Sequence, residues 1–286
     1  MKIKFAIATN DAYLCVLDVF LGAGWQLEKL FVSPDNWMYG NKQVIARALE
    51  LGAAVQYSPI NVRDMADLGR CGCAALIVSS YPWKIPAWHA DIEYAVNFHP
   101  SPLPEARGPY PLVRAILEER AIWGVSCHRI SEEFDRGDIL DAEIFSLDPD
   151  ERHDTLQLKI QMASSRLAER VAIDLESLWQ AAVPQESGSY WARWTEQDRV
   201  IDFTQTVKTI MRQIRAFGDL ECMATINDTT LFIHRAQGWS EPHLARPGAV
   251  VHSSNLALVV AAADGFIAIT EWSFNAPGAV TSNTRR

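Results

Sequence analysis

The sequence predicts an α/β fold, with a mostly parallel sheet and flanking helices, followed by a small β-barrel-like C-terminal domain. Three observations predict it. Short apolar runs alternate with helical periodicity between Lys4 and Ile130. One long amphipathic stretch follows, from Leu156 to Leu178. Beyond a polar segment at Pro184–Ser189, short β-like runs succeed one another with turn signals between them. Parallel strands need helices to carry the chain back, whereas closely spaced short strands pair antiparallel.

Lys4–Ala8 is an apolar run of strand length, and Ala12–Gly22 has helical spacing. Gly24 ends that helix, since glycine takes the left-handed turn that closes one. Leu30–Val32 is a second strand, Lys42–Leu51 a helix stopped at Gly52, and Ala54–Tyr57 a short third strand. Ala74–Val78, bounded by Ser79 and Ser80, is a fourth strand and Tyr94–Phe98 a fifth. Leu112–Glu119 is helical and Val125–Ile130 is a sixth strand. In the long helix, Ile160, Ala163, Leu167, Val171, Leu175 and Leu178 recur at intervals of three and four, a stripe for packing on a sheet. Pro184–Ser189 reads as a polar, flexible connector. Val207–Phe217 is a helix. Met223–Ile226, Leu231–His234, Ala249–Val251, Leu256–Val260 and Phe266–Ile269 are short strands, with turns at Asn227-Asp228 and Asp264-Gly265. The expected division is a catalytic domain at 1–183, a connector at 184–203 and a β-rich domain at 204–286. The polar tail Ala279–Arg286 is expected to fray.

Composition narrows the function classes. A chain of 286 residues, 49% hydrophobic and 21% charged, can bury a sizeable core. The net charge of -9 argues against a broad nucleic-acid surface, so no DNA partner is expected. The five cysteines are odd in number and form no C-x-x-C pair, so neither a disulfide framework nor a metal site is expected. No run approaches the ~18 apolar residues of a membrane span. The N-terminal apolar run is too short for a signal peptide, and a cytoplasmic location with no membrane partner is expected. Thr9-Asn10-Asp11-Ala12 follows the first strand where a nucleotide-binding chain carries its glycine-rich loop, so no nicotinamide or ATP site is indicated.

The informative segment is Asn97-Phe98-His99-Pro100-Ser101-Pro102-Leu103-Pro104, followed by Arg107-Gly108. Residues two apart on a strand share a side, so Asn97 and His99 emerge together while Phe98 points into packing. They do so at the carboxyl end of a strand, where open α/β sheets bind ligands. A second segment runs Gly124-Val125-Ser126-Cys127-His128-Arg129-Ile130, then a turn, then Asp135-Arg136-Gly137-Asp138-Ile139. Asp135 lies 36 residues after His99 (135 − 99) in what reads as a tight loop. A carboxylate beside an imidazole orients it and favours its charged form.

The pattern Asn97-x-His99-x-Ser101-x-Leu103-Pro104-x-x-Arg107-Gly108, then Gly124-Val125-Ser126, then Asp135-x-Gly137-Asp138-Ile139 resembles the folate-dependent formyltransferases, whose catalytic domain is Rossmann-like. Tyr190-x-x-x-x-Thr195-x-x-Asp198, Ile201-Asp202-Phe203, Ile214-Arg215-Ala216-Phe217, Pro247-Gly248-Ala249-Val250 and Ala263-Asp264-Gly265 look like the C-terminal domain of methionyl-tRNA formyltransferase and its amino-sugar relatives. The resemblance implies transfer of a formyl group from N10-formyltetrahydrofolate to an amine, without a covalent enzyme intermediate. It implies Asn97, His99 and Asp135 as catalytic residues, with His128 and Arg107 as auxiliary candidates. By position it places Trp83, Ile85, Leu103 and Gly137 at the folate, with one wall of the pocket at Tyr81–Pro86 and another at Ile130–Asp135.

Two departures bear on the acceptor. Ser101-Pro102-Leu103-Pro104 stands where the family often has Ser-Leu-Leu-Pro, which keeps the final Leu-Pro. Methionyl-tRNA formyltransferase has a basic insertion near its second strand, whereas Ser33–Lys42 here carries little positive charge. A small-molecule amine, an amino sugar or a hydroxylated ornithine, is therefore the expected acceptor, ahead of tRNA. Rival readings are a formyltetrahydrofolate hydrolase and a folate-binding protein without turnover. The oligomeric state is open between monomer and homodimer.

Overall fold

The apolar runs of the first half pair into one sheet in a computed structural model, which describes residues 3–34 and 40–274. Its strands are β1 (Lys4–Ala8), β2 (Gln26–Phe31), β3 (Ala54–Gln56), β4 (Cys73–Ser79), β5 (Tyr94–His99), β6 (Ile122–Arg129) and β7 (Ile139–Ser146). The order is β3-β2-β1-β4-β5-β6-β7. The five strands from β3 to β5 are parallel, β6 runs antiparallel to β5, and β7 antiparallel to β6. The sheet is thus mostly parallel with an antiparallel hairpin at one edge. Phe5 to Ala8 of the central β1 are fully buried, as a strand covered on both faces must be. The helices are α1 (Leu14–Gly22), α2 (Lys42–Glu50), α3 (Val62–Arg70), α4 (Pro111–Leu117) and α5 (His153–Gln180). The α5 stripe Ile160, Ala163, Leu167 and Val171 is fully buried. Each such Ile or Leu contributes about 1.5–3 kcal/mol by leaving water. Helical geometry breaks once within α5, at Asp174.

Two elements were not expected. α3 is short and polar, but a capping box starts it: the Asn61 side chain accepts from the amides of Arg63 and Asp64, and Asp64 returns a bond to the Asn61 amide. β7 carries Asp141 and Glu143 at half-buried positions, where they pair with Arg170 and Arg166 of α5. Those charges gave β7 the look of a loop.

The chain separates into two compact units, one comprising 1–111, 122–146 and 158–192, the other 112–121, 147–157 and 193–286. The second contains α6 (Val207–Phe217) and an antiparallel sheet of β8 (Cys222–Ile226), β9 (Thr229–Ser240), β10 (Val250–Ser253), β11 (Leu258–Ala261) and β12 (Gly265–Ser273). α6 starts at Thr206, whose side chain accepts from the Thr209 amide, and it buries Ile210, Ile214 and Phe217. Gly238 of β9 lets it approach, since a Cβ there would come within 2.7 Å of Val207 Cγ1. The order β10-β11-β12-β9-β8 leaves β8 and β10 as edges among the described residues. The β-rich C-terminal domain expected from the sequence is thus present, as a five-stranded antiparallel sheet with α6 against it. The tail at Ala279–Arg286 and residues 35–39 of the Ser33–Lys42 segment lie outside the described residues. No described helix is long and apolar enough to cross a membrane.

Candidate active site

Three neighbouring strands bring the polar residues together. β5 carries Asn97 and His99, with Phe98 buried between them on the opposite side. Antiparallel pairing sets His128 of β6 directly opposite Asn97, and Ser126 opposite His99. The loop from β6 to β7 then carries Asp135 back over this end of the sheet. Asp135 has φ 57°, a left-handed conformation that costs energy outside glycine and needs support from its surroundings. Gly137 follows it, and a Cβ there would run into the carbonyl of Arg129, so the loop folds tightly only with glycine.

Hydrogen bonds set the orientation of each side chain. His128 Nδ1 lies 2.7 Å from the carbonyl oxygen of Arg129, which can only accept, so Nδ1 carries the proton. In the neutral ring His128 Nε2 is then an acceptor and receives a hydrogen bond from Asn97 Nδ2 at 3.0 Å. The other amide hydrogen of Asn97 reaches Asp135 Oδ1 at 3.4 Å, a weak contact. The second Asp135 oxygen accepts from the Gly108 amide at 2.9 Å. His99 sits between two acceptors, with Nε2 3.0 Å from the Ala106 carbonyl and Nδ1 3.3 Å from Asp135 Oδ1. A neutral ring donates to one of them, and a charged ring to both.

Burial pushes the His99 pKa down, opposed by the Asp135 charge and the Ala106 carbonyl, and the outcome is a lowered value. For Asp135, burial acts upward but is outweighed by His99, His128 and the Gly108 amide, which hold the carboxyl at about 2. The carboxylate is therefore ionised at neutral pH beside a ring that protonates reluctantly.

The loop after β5 is held from below. Ser126 is fully buried. Its hydroxyl donates to the Ser101 carbonyl at 2.8 Å and accepts from the Leu103 amide at 3.0 Å. On the other side of β5, Val78 of β4 pairs with Asn97 and Ser79 with Phe98. Thr9 and Asn10 at the end of β1 join this surface: Thr9 Oγ1 lies 2.8 Å from Ser79 Oγ, and Asn10 Nδ2 donates to Ser80 Oγ at 3.0 Å. The chain runs from β1 to β2 and β3 on one side and returns to β4 on the other. β1 and β4 thus flank the point where strand order reverses, the ligand-binding crevice of open α/β sheets.

Residues 89–171 match the family model described as formyl transferase, and residues 193–283 match the model of the formyl transferase C-terminal domain. The chain belongs to the formyl transferase family. It is similar to a methionyl-tRNA formyltransferase of Coprothermobacter proteolyticus, 32% identical over 169 residues, or 58% of this chain and 56% of that one. A methionyl-tRNA formyltransferase of Idiomarina loihiensis is 26% identical over 95% of this chain and 91% of its own. The fold is also that of an N-formyltransferase from Helicobacter canadensis, solved with folinic acid and dTDP-3-aminofucose. That likeness has TM-score 0.69 at 18% identity, over 96% of this chain and 100% of the other.

Of the residues expected to act in this formyl transferase, the structure brings Asn97, His99, Asp135 and His128 into one hydrogen-bonded cluster. Arg107 does not point into it. Its guanidinium donates from Nε to Gln185 Oε1 at 2.9 Å and from Nη2 to the Glu186 carbonyl at 3.1 Å, which makes it a loop anchor. Among the folate-side residues, Gly137 lines a cavity of about 750 Å³ together with Trp88, Ile92, Arg129, Ile130 and Trp179. Trp83 stands edge-on to Tyr81 at 5.3 Å, and Ile85 packs on the buried cluster around Trp88 and Ile92. Neither lines that cavity. Leu103 is buried on the loop after β5, its amide bonded to Ser126. Sequence reasoning missed the indoles of Trp88 and Trp179, which meet edge to face at 5.9 Å. It also missed Gln185. Among the described residues no cluster of His, Cys, Asp and Glu could hold a metal ion.

Proposed function

We propose that this formyl transferase moves the formyl group of N10-formyltetrahydrofolate to the amine of a small-molecule acceptor. The observation that carries the reading is the His99 ring bracketed by the Ala106 carbonyl and the ionised Asp135, with the Asn97 amide aimed at the same carboxylate. The amine lone pair forms a bond to the formyl carbon, and the carbonyl π pair moves onto oxygen. The oxygen accepts from the Asn97 hydrogen now loosely held by Asp135, and the N–H of the neutral His99 ring supplies a second donor. Each such donor is worth roughly 10²–10³ in rate. Asp135 holds His99 and, through a water, passes the proton lost by the amine to N10. The C–N10 bond then breaks and tetrahydrofolate leaves.

The cavity beside Gly137 and Trp88 suits the fused rings of the folate, because Ile92, Ile130 and the two indoles give it apolar wall and Arg129, Ser131 and Asp138 give it groups to meet the polar ring edge. The crevice at Thr9, Asn10 and Ser80, one strand away from β5, suits the acceptor. The net charge of -9 supports a small molecule over tRNA, whose binding needs clustered cations. The amino-sugar ligand of the Helicobacter canadensis neighbour supports the same preference.

The test is release of tetrahydrofolate, followed by absorbance with N10-formyltetrahydrofolate and a panel of acceptors. The panel holds nucleotide-linked amino sugars, N-hydroxyornithine, Met-tRNA and a blank. Release that requires an amino sugar or hydroxyornithine is expected. Turnover with Met-tRNA alone would overturn the acceptor, and release in the blank would make the protein a hydrolase.

A further inference from the structure

The segment after α5 reads in sequence as a loose connector, but it lies bonded across both loops of the active site. Val183 exchanges two backbone hydrogen bonds with Ile139, at 2.9 and 2.8 Å, just beyond the Asp135 loop. Ser189 accepts from the Ala106 amide through its hydroxyl at 2.9 Å and from the Arg107 amide through its carbonyl at 3.0 Å. Gly188 passes so close to Pro104 that a Cβ would strike its carbonyl. Between these anchors, Gln185 donates from Nε2 to the carbonyls of Asp135 at 2.9 Å and Gly137 at 2.7 Å, while its Oε1 accepts from Arg107 Nε at 2.9 Å. One amide therefore joins the loop after β5 to the loop after β6.

The two backbone positions that this strap grips are themselves strained. Asp135 has φ 57° and Ala106 has φ 56°, both left-handed. Such residues stay in place only where neighbours over-determine them. They also hold the two acceptors of His99, the Asp135 carboxylate and the Ala106 carbonyl. Arg107, buried to 4% exposure, spends its guanidinium on the strap alone in the hydrogen bonds it makes, to Gln185 and Glu186.

We propose that Gln185, clamped by Arg107, is a positioning residue that holds Asp135 against His99. Glutamine fits because the position needs a donor pair for two carbonyls and an acceptor for a guanidinium at the end of one side chain. Leucine supplies neither. Glutamate keeps the acceptor, loses the donors and sets a charge against two carbonyl oxygens. The titratable groups that face His99 are Asp135 and His128, with ring centroids of the two histidines 6.4 Å apart. When the Asp135 loop loosens, His99 loses its favourable charge and titrates at lower pH.

The catalytic consequence rests on the formyl-transfer reading, but the positioning itself is read on His99 without substrate. The experiment is NMR titration of the His99 ring in the full chain, wild type against Gln185→Leu and Gln185→Glu, with melting temperatures alongside. A lower His99 titration midpoint in folded variants is expected. With it should come a kcat lower by about tenfold to a hundredfold at near-constant KM for the folate, and an acidic limb of kcat moved to lower pH. An unchanged His99 titration in folded variants overturns the proposal, and so does loss of the fold in both variants, which would make Gln185 structural. A shifted titration with no wild-type turnover on any acceptor supports the positioning and removes the formyl-transfer reading instead.

Discussion

Replacing His128 with phenylalanine tests the hydrogen-bond chain that aims Asn97. The ring is 2% exposed and relays orientation from the Arg129 carbonyl, through Nδ1–H, to Nε2, which accepts from Asn97. Phenylalanine fills the same space and removes the acceptor. The Asn97 amide then loses one neutral hydrogen bond at 3.0 Å, worth about 0.5–1.5 kcal/mol, and its reason to present nitrogen toward the site. If that bond serves to keep the donor aimed in the transition state, about 1 kcal/mol lowers kcat roughly fivefold. The assay is steady-state tetrahydrofolate release, with kcat and the folate KM separated and the melting temperature recorded. His128→Gln, whose side-chain oxygen can accept from Asn97, should recover part of the loss. A kcat within twofold of wild type in a folded His128→Phe protein would show that Asn97 needs no such guide. A loss on the order of a thousandfold would refute the reasoning differently, since it would mean that His128 itself moves the proton.

Other outcomes follow from the same geometry. Asp135→Asn removes the charge beside His99 and should lower kcat by about 10²–10³ while leaving the protein folded, checked by turnover and circular dichroism. The wild-type Asp135 carboxyl, held at about 2, stabilises the fold above the ordinary carboxylate range; that contribution should disappear as pH falls from about 4 to about 2, and Asp135→Asn should lack this limb in urea titrations. Buried His99 acts in the same direction, but in a window at higher pH. Its folded pKa is lowered, so the unfolded chain binds the extra proton and stability should fall as pH drops below about 6.5, with a shallower fall in His99→Gln. Ser126→Ala removes two buried hydrogen bonds and leaves the Leu103 amide and the Ser101 carbonyl only their 3.1 Å bond to each other, which should cost about 1–3 kcal/mol in chemical denaturation.

Much of the candidate site's cluster was legible because it is local. Asn97 and His99 declare themselves by strand period, and buried Phe98 supplies the register between them. Asp135 was legible through the glycine beside it, which its tight loop demands. The elements that were missed depend on partners far along the chain. Asp141 and Glu143 look like loop residues until Arg166 and Arg170 of α5 are placed against them. β9 runs from Thr229 to Ser240, well past the apolar stretch that marks its start, because pairing with β12 rather than its own hydrophobicity extends it. α3 had a signal, the Asn61-x-x-Asp64 box, but only Met65 and Leu68 carry its apolar face. Gln185 had none. Its contacts lie 50 and 78 residues away, and a lone glutamine between Pro184 and Glu186 has no pattern that foretells them.

The antiparallel pairing of β5 with β6 has a consequence for how such a chain can change length. Asn97 meets His128 only because Phe98 stands against Cys127 and His99 against Ser126. Slipping that ladder by one residue would bring Cys127 or Arg129 opposite Asn97 and turn every β6 side chain to the other face. A single inserted or deleted residue within either strand would therefore dismantle the cluster while leaving each of its members in the chain. The segments between the strands answer to no such ladder, and it is there that related chains have room to gain and lose residues.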